Sequence, residues 1–220
     1  MTALVIAIDG PSGSGKSTVA RGVASALGLE VLDTGAMYRA VTLAAMEADI
    51  ALDDADACAA LARRLTITVE HGVTQIDGRD VSAEIRGPAV TGAVSIVAAN
   101  PAVRSHLVAR QRAWVERHGG GVVEGRDIGT VVFPDAPVKV FLTAESAARA
   151  GRRAAEANWS AVSTRHDQDR RDRLDAPQSG QAADAVEIDS TRLDLDQVVE
   201  VIVRLAREYA GQPHPRRPTR

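Results

Sequence analysis

Only one cysteine, Cys58, occurs in the 220 residues, so no disulfide framework holds this fold together. It sits in a segment of helical pattern and reads as an inert, buried thiol. Aromatic residues make up only 3%, which leaves Ala, Val, Leu and Ile to fill the core of a chain that is 45% hydrophobic. No apolar stretch approaches the ~20 residues that a membrane-crossing helix needs. The first apolar run begins at Leu4, which leaves no room ahead of it for a secretory signal, and the expected location is the cytoplasm. Net charge is -3, so no nucleic-acid-binding surface is expected over the whole molecule, and any anion must be held by a local cluster. Lysine is scarcer still: of 26 lysines and arginines, only Lys16 and Lys139 are lysines.

One of those two lysines stands in the most informative segment. Gly10-Pro11-Ser12-Gly13-Ser14-Gly15-Lys16-Ser17 is a full Gly-x-x-x-x-Gly-Lys-Ser phosphate loop, continued by Thr18. The apolar run Leu4–Ile8 before it predicts a buried parallel strand. Val19, Val23, Ala26 and Leu27 after it recur at helical spacing as far as Gly28. Glycines there let successive amides point into one concavity, and the helix adds its positive end. Lys16 can reach the β- and γ-phosphates as a compact charge on a flexible stem, and the Ser17 hydroxyl can sit on Mg2+. The loop predicts binding of a nucleoside triphosphate, with ATP and Mg2+ as the expected cofactors.

The length suits one well-packed domain. Apolar runs predict strands at Val5–Ile8, Glu30–Leu32, Val122–Glu124, Val138–Leu142 and Ala185–Ile188. Helices are expected at Ser17–Leu27, Ala36–Glu47, Pro101–His118 and Ser146–Ala157, and over an amphipathic last helix with Leu195, Val198, Val199, Ile202, Leu205 and Tyr209 on one face. Alternating strands and helices imply an α/β fold, a five-stranded parallel core sheet with helices on both faces. Leu65–Val69 and Val73–Gly78 alternate around His71-Gly72 and predict a small antiparallel insert. Residues 151–183 are polar and charged, with Arg149, Arg152, Arg153, Arg165, Arg170, Arg171 and Arg173 in or beside them, and read as a helical lid over anionic ligands. The expected division is one domain over 1–210, with core segments 1–59, 91–150 and 184–210, an insert at about 60–90 and a lid at about 151–183. A disordered tail is expected at 211–220, with three prolines and three arginines.

A phosphate loop alone does not separate kinases from GTPases and motor ATPases. No Asn-Lys-x-Asp guanine-reading motif is present, and three segments favour a small-molecule kinase. In Leu32–Arg39, Gly35 would permit a tight turn into a helix. Arg39 could then hold a phosphate while Tyr38 lies against a sugar or base. In Val122–Thr130 a buried strand runs out into Glu124-Gly125-Arg126-Asp127 at the sheet edge where open α/β folds bind ligands. There Arg126 suits a phosphate and Asp127 an exocyclic amine. Ser95 and Arg104 flank the Asn100-Pro101 bend between two helices and are uninformative alone.

Together these blocks, with Asp80–Arg86 and the run Glu124–Lys139, resemble the bacterial cytidylate kinases over most of residues 1–145. The resemblance implies a P-loop nucleoside monophosphate kinase fold and transfer of a phosphoryl group from ATP to CMP or dCMP. It implies contacts to cytosine from Ser95, Arg104 and Asp127, and to the 5′-phosphate from Arg39 and Arg126. Tyr38 would lie near the sugar, and Thr34 takes the place of a serine or threonine usual in the family. A carboxylate is the right reader for the cytosine N4 amine. In the lid, Arg171-Asp172-Arg173-Leu174-Asp175 fits the family's Arg-Asp-x-x-Asp, with Arg171 and Asp175 as sugar contacts, but Gln178 stands where the family has a further arginine. A competing alignment anchors on Pro177 and gives Arg173 that place. Lys16, Arg39, Arg126 and Arg171 are the expected catalytic cations, in a monomer acting on small molecules with no nucleic-acid or membrane partner. A kinase for another monophosphate such as UMP or AMP, and a non-catalytic ATP-binding regulator, are the rival readings.

Overall fold

The computed structural model describes residues 3–157, 170 and 172–211. Along the chain run β1 (Leu4–Asp9), α1 (Lys16–Leu27), β2 (Val31–Asp33), α2 (Thr34–Glu47), α3 (Ala55–Arg64), β3 (Ile67–Glu70), β4 (Val73–Ile76) and β5 (Arg79–Asp80). There follow α4 (Pro88–Ala99), α5 (Pro101–His118), β6 (Gly120–Gly125), β7 (Val138–Thr143), α6 (Ser146–Ala157), β8 (Val186–Asp189) and α7 (Leu195–Gly211). Five of the strands form one parallel sheet in the order β2-β6-β1-β7-β8. Side chains alternate across each strand. Val5 and Ala7 of β1 therefore join the core under α2–α5, with Met37, Val41, Leu107 and Trp114. Ile6 and Ile8 join Val19, Val23 and Ile202 under α1 and α7. Burying each such Val, Ile or Leu contributes about 1.5–3 kcal/mol. The central strand is thus clamped from both faces, and the loop after it starts from a rigid base.

The expected insert is an antiparallel sheet in the order β3-β4-β5, packed beside α2. Its turns place His71, Gly72, Asp77 and Gly78 at positive φ. Two strands sit one residue later than expected, because pairing of Val31 with Val122 and of Ile188 with Leu142 sets where the ladders begin and end. Gly35 needs correcting. It makes no turn, since α2 already starts at Thr34 with Asp33 capping it through the Ala36 amide at 3.0 Å. The glycine instead leaves room: a Cβ there would stand 3.1 Å from both Arg39 Nη1 and Asp33 Oδ1. Gly211 closes α7, and the rest of the expected tail lies outside the described residues. So do Arg165, Arg171 and the side chain of Arg153.

Helix α1 ends on Gly28 at φ 65, whose amide bonds the Ala24 carbonyl. An added Cβ there meets nothing within 4 Å, so Gly28→Ala isolates the backbone cost of a left-handed cap. The expected loss is ~1 kcal/mol, read as a fall in Tm of roughly 2–4 °C. An unchanged Tm would mean that the cap is not left-handed in solution.

Candidate active site

The site grows from the end of β1. Gly10, Gly13 and Gly15 take φ of 150°, 75° and 94°. At Gly10 an added Cβ would stand 2.2 Å from the Leu142 carbonyl oxygen, so β7 itself demands glycine there. Alternate loop carbonyls are bound from outside. Gly10 O accepts from Arg126 Nη1 (2.9 Å), Ser12 O from Arg149 Nη1 (2.9 Å), and Ser14 O from Arg152 Nη1 and Ser190 Oγ (3.3 Å each). With these carbonyls anchored, the loop is pre-shaped as an anion cradle at the N-terminus of α1. Lys16 Nζ donates back to Pro11 O at 2.7 Å. Burial, reinforced by nearby Arg126, pulls its ammonium well below the ordinary lysine value. An arriving polyphosphate would reverse that penalty.

Facing the loop across one cleft of about 730 Å³ stand Thr34, Tyr38, Arg39, Ser95, Arg104, Arg126, Asp127 and Asp175. Ser12, Gly13, Gly15, Lys16, Ser17 and Thr18 line its other side, whereas Gly10, Pro11 and Ser14 stand behind the lining. Arg104 Nη2 and Asp127 Oδ2 form a close ion pair with both side chains largely buried. Burial pushes the Asp127 carboxyl up, and Arg104 opposes it. Tyr38 lies near this pair, its phenol pushed up to about 12 mainly by burial. Thr34 donates to the Glu124 carbonyl at 2.7 Å and so ties α2 to β6. Ser95 Oγ donates to Asp175 at 2.7 Å, and Asp175 also holds Arg126 Nη2 at 2.9 Å. Arg171 lies outside the described residues.

Several residues of the site received no role from sequence reasoning. Glu124 is buried at the end of β6, where burial and then Asp33 push its carboxyl up, while Lys16 and a hydrogen bond from Ser17 oppose. Its place as the acidic end of a Val-Val strand was the available signal. Asp172 accepts from the Ser12 amide (3.2 Å) and from Arg149 Nη1 (2.6 Å), so its carboxylate ties α6 to the phosphate loop. Nothing in the sequence set Arg149 and Arg152 apart from their neighbours as loop anchors. Arg173 is exposed, and Arg170 donates to the Gly92 carbonyl at 3.2 Å. Among the described residues no helix is long and apolar enough to cross a membrane.

A family model described as cytidylate kinase matches residues 6–208. A cytidylate kinase of Nocardia farcinica is 47% identical over 219 residues, covering 93% of this chain and 94% of that protein. One of Mycobacterium leprae is 44% identical over 220 residues, covering 96% and 99%. Among solved structures, protein TT1252 from Thermus thermophilus matches with a TM-score of 0.51 at 16% identity, covering 93% of this chain and 98% of that one. An uncharacterized protein from Eubacterium ventriosum matches at the same TM-score and coverage, with 13% identity. At such identities the two structures speak for the fold alone.

Proposed function

The chain belongs to the cytidylate kinase family, and from that membership we propose how its cleft moves the γ-phosphoryl group of ATP onto CMP or dCMP, giving ADP and CDP or dCDP. One observation carries the reading: the phosphate loop and the Arg104–Asp127 pair share a single cleft. ATP lies with its phosphates along residues 10–18. The monophosphate meets Arg39 and Arg126, and the cytosine meets Ser95, Arg104 and Asp127. Tyr38, Thr34, Asp175 and Arg171 surround the sugar.

A phosphate monoester has its second pKa near ~6, so CMP arrives largely dianionic and needs no general base. The obstacle is repulsion between two anions as the attacking oxygen nears the γ-phosphorus. Lys16, Arg39 and Arg126 neutralise that charge and hold the reactants in line. Arg126 already sits between Gly10 O and Asp175, so its guanidinium is oriented before substrate binds. Residues of the lid exclude water, the competing acceptor. The Ser17 hydroxyl, hydrogen-bonded to buried Glu124, would hold a magnesium ion. Such an ion would supply charge neutralisation at the β- and γ-phosphates. In this reading the protein is a monomer that works on small molecules in the cytoplasm.

An assay of ADP release with CMP, dCMP, UMP, AMP and GMP tests the reading. CMP or dCMP is expected to give the highest kcat/KM. A higher value with UMP or AMP points to the rival kinases, and ATP binding without any transfer points to a regulator.

Gln178 lines the cleft together with Asp175 and Arg104, which supports the register in which it replaces the family's arginine. Gln178→Arg then adds a cation near the CMP phosphate and is expected to lower the KM for CMP roughly 3- to 10-fold, within the net range of one ordinary hydrogen bond. In the same register, Arg171→Ala costs more kcat/KM than Arg173→Ala. No effect at Gln178, together with the reverse order of the two arginines, favours the alignment anchored on Pro177.

A further inference from the structure

Asp9 is only 3% exposed and touches neither of the groups named above for catalysis nor those for base contact by hydrogen bond. It closes β1 one residue before Gly10. Its Oδ1 accepts from the Ile128 amide at 2.8 Å and its Oδ2 from the Gly129 amide at 2.7 Å. These amides open a one-turn π-helix, Ile128–Val132, directly after Asp127. The first amides of a helix have no partner inside it, and here a carboxylate from another strand supplies one for each. On the other side of Asp127, Arg126 is tied to Gly10 O at 2.9 Å. Asp127 is therefore bracketed by two links, and both end on consecutive residues, Asp9 and Gly10, where β1 runs into the phosphate loop.

We propose that Asp9 is a positioning residue that fixes the Arg104–Asp127 pair relative to the phosphate loop, so that cytosine selection depends on a carboxylate outside the base site. The proposal rests on the functional reading above. A carboxylate accepts in one plane with both oxygens, and two rigid amides then fix the turn in rotation as well as in distance. An asparagine keeps the size but offers an NH2 to one of the two amides. A protonated Asp9 has the same defect. Burial pushes this carboxyl up to about 6, with the Gly129 and Ile128 amides opposing. The charges around it are Asp127, which raises it further, and Lys16 of α1, which lowers it. On the neighbouring strands stand Glu124 of β6 and Lys139 of β7, the latter with its Nζ held by Asp184 at 2.8 Å. The link is expected to loosen as pH falls through about 6.

The test compares Asp9→Asn with the parent protein. At pH 7.5 the variant is expected to lose at least ~5-fold in the CMP:UMP ratio of kcat/KM, mainly through the KM for CMP, with the Kd for ATP changed less than ~3-fold. In the parent the ratio falls between pH 7.5 and 5.5, and in Asp9→Asn it falls less. Taking a ratio cancels protonation of Lys16, Glu124 and the nucleotide phosphates, which both substrates share. Ile128 and Gly129 amide proton shifts should titrate in the parent with one midpoint near pH 6. A folded Asp9→Asn with an unchanged ratio overturns the proposal, as does an identical pH slope in both proteins, which would assign the titration to Asp127. If the variant does not fold, the parent decides: a flat ratio overturns it, a fall that follows the side-chain carboxyl 13C shift of Asp9 supports it, and one that follows the Asp127 carboxyl instead overturns it. A parent protein that does not prefer CMP to UMP would instead sink the functional reading.

Discussion

Lys16→Ala is expected to lower kcat at least ~100-fold, about 2.7 kcal/mol in the barrier, with far-UV circular dichroism unchanged. The side chain is half-buried in the wall of the cleft, and its ammonium rests on Pro11 O rather than in the core packing. Its loss should therefore leave the fold intact. The cost falls on the chemical step, because charge gathers on the bridging and equatorial oxygens during transfer and Lys16 is the cation built into the loop that bears on them. Arginine should not restore the rate: its planar fork is wider than the space a single ammonium fills between loop and phosphate. Single-turnover kinetics separate chemistry from product release. A folded variant with near-normal turnover would falsify the reading of the loop as the donor site.

The second large effect is expected in selectivity. Asp127→Asn should narrow the CMP:UMP ratio of kcat/KM by at least ~30-fold, about 2 kcal/mol. The Asp127 carboxylate pairs with Arg104 and keeps acceptor capacity for the cytosine N4 amine, whereas uracil presents an oxygen there and meets like charge. A site built around such a bond rejects the wrong base because a buried polar group is left unpaired. Asparagine can turn a donor toward uracil, and it also weakens the hold of Arg104. Steady-state kinetics with both nucleotides decide the point. An unchanged ratio in a well-folded variant means that the base is read elsewhere.

Much of this architecture was legible from residue order. Leu4–Ile8, the loop glycines and Val19–Leu27 name a strand, a turn and a helix in succession, because each pattern is local. The run from Glu124 to Thr130 marked a strand leaving the sheet into charged residues. Gly35 was misjudged because the spacing of a glycine does not distinguish a turn from a helical position that makes room for the side chains of Asp33 and Arg39. The π-turn at Ile128–Val132 had no signal, since its first amides are satisfied by Asp9, more than a hundred residues away.

The chemistry of this protein was written in the sequence. The strand-helix alternation specifies the parallel sheet, and the Gly-x-x-x-x-Gly-Lys-Ser loop and the Arg126-Asp127 pair point to the proposed donor and acceptor sites. Each depends on backbone freedom, side-chain period or residue charge, which adjacent residues carry by themselves. Only the tertiary structure decided what every ionisable group faces. Arg149 and Arg152 hold loop carbonyls instead of reaching out over the cleft, Asp175 bridges Ser95 and Arg126, and Asp9 accepts from the Ile128 and Gly129 amides. A buried charge takes whichever partners the packed sheet brings within about 3 Å, and those come from strands and helices whose order in space is not their order in the chain.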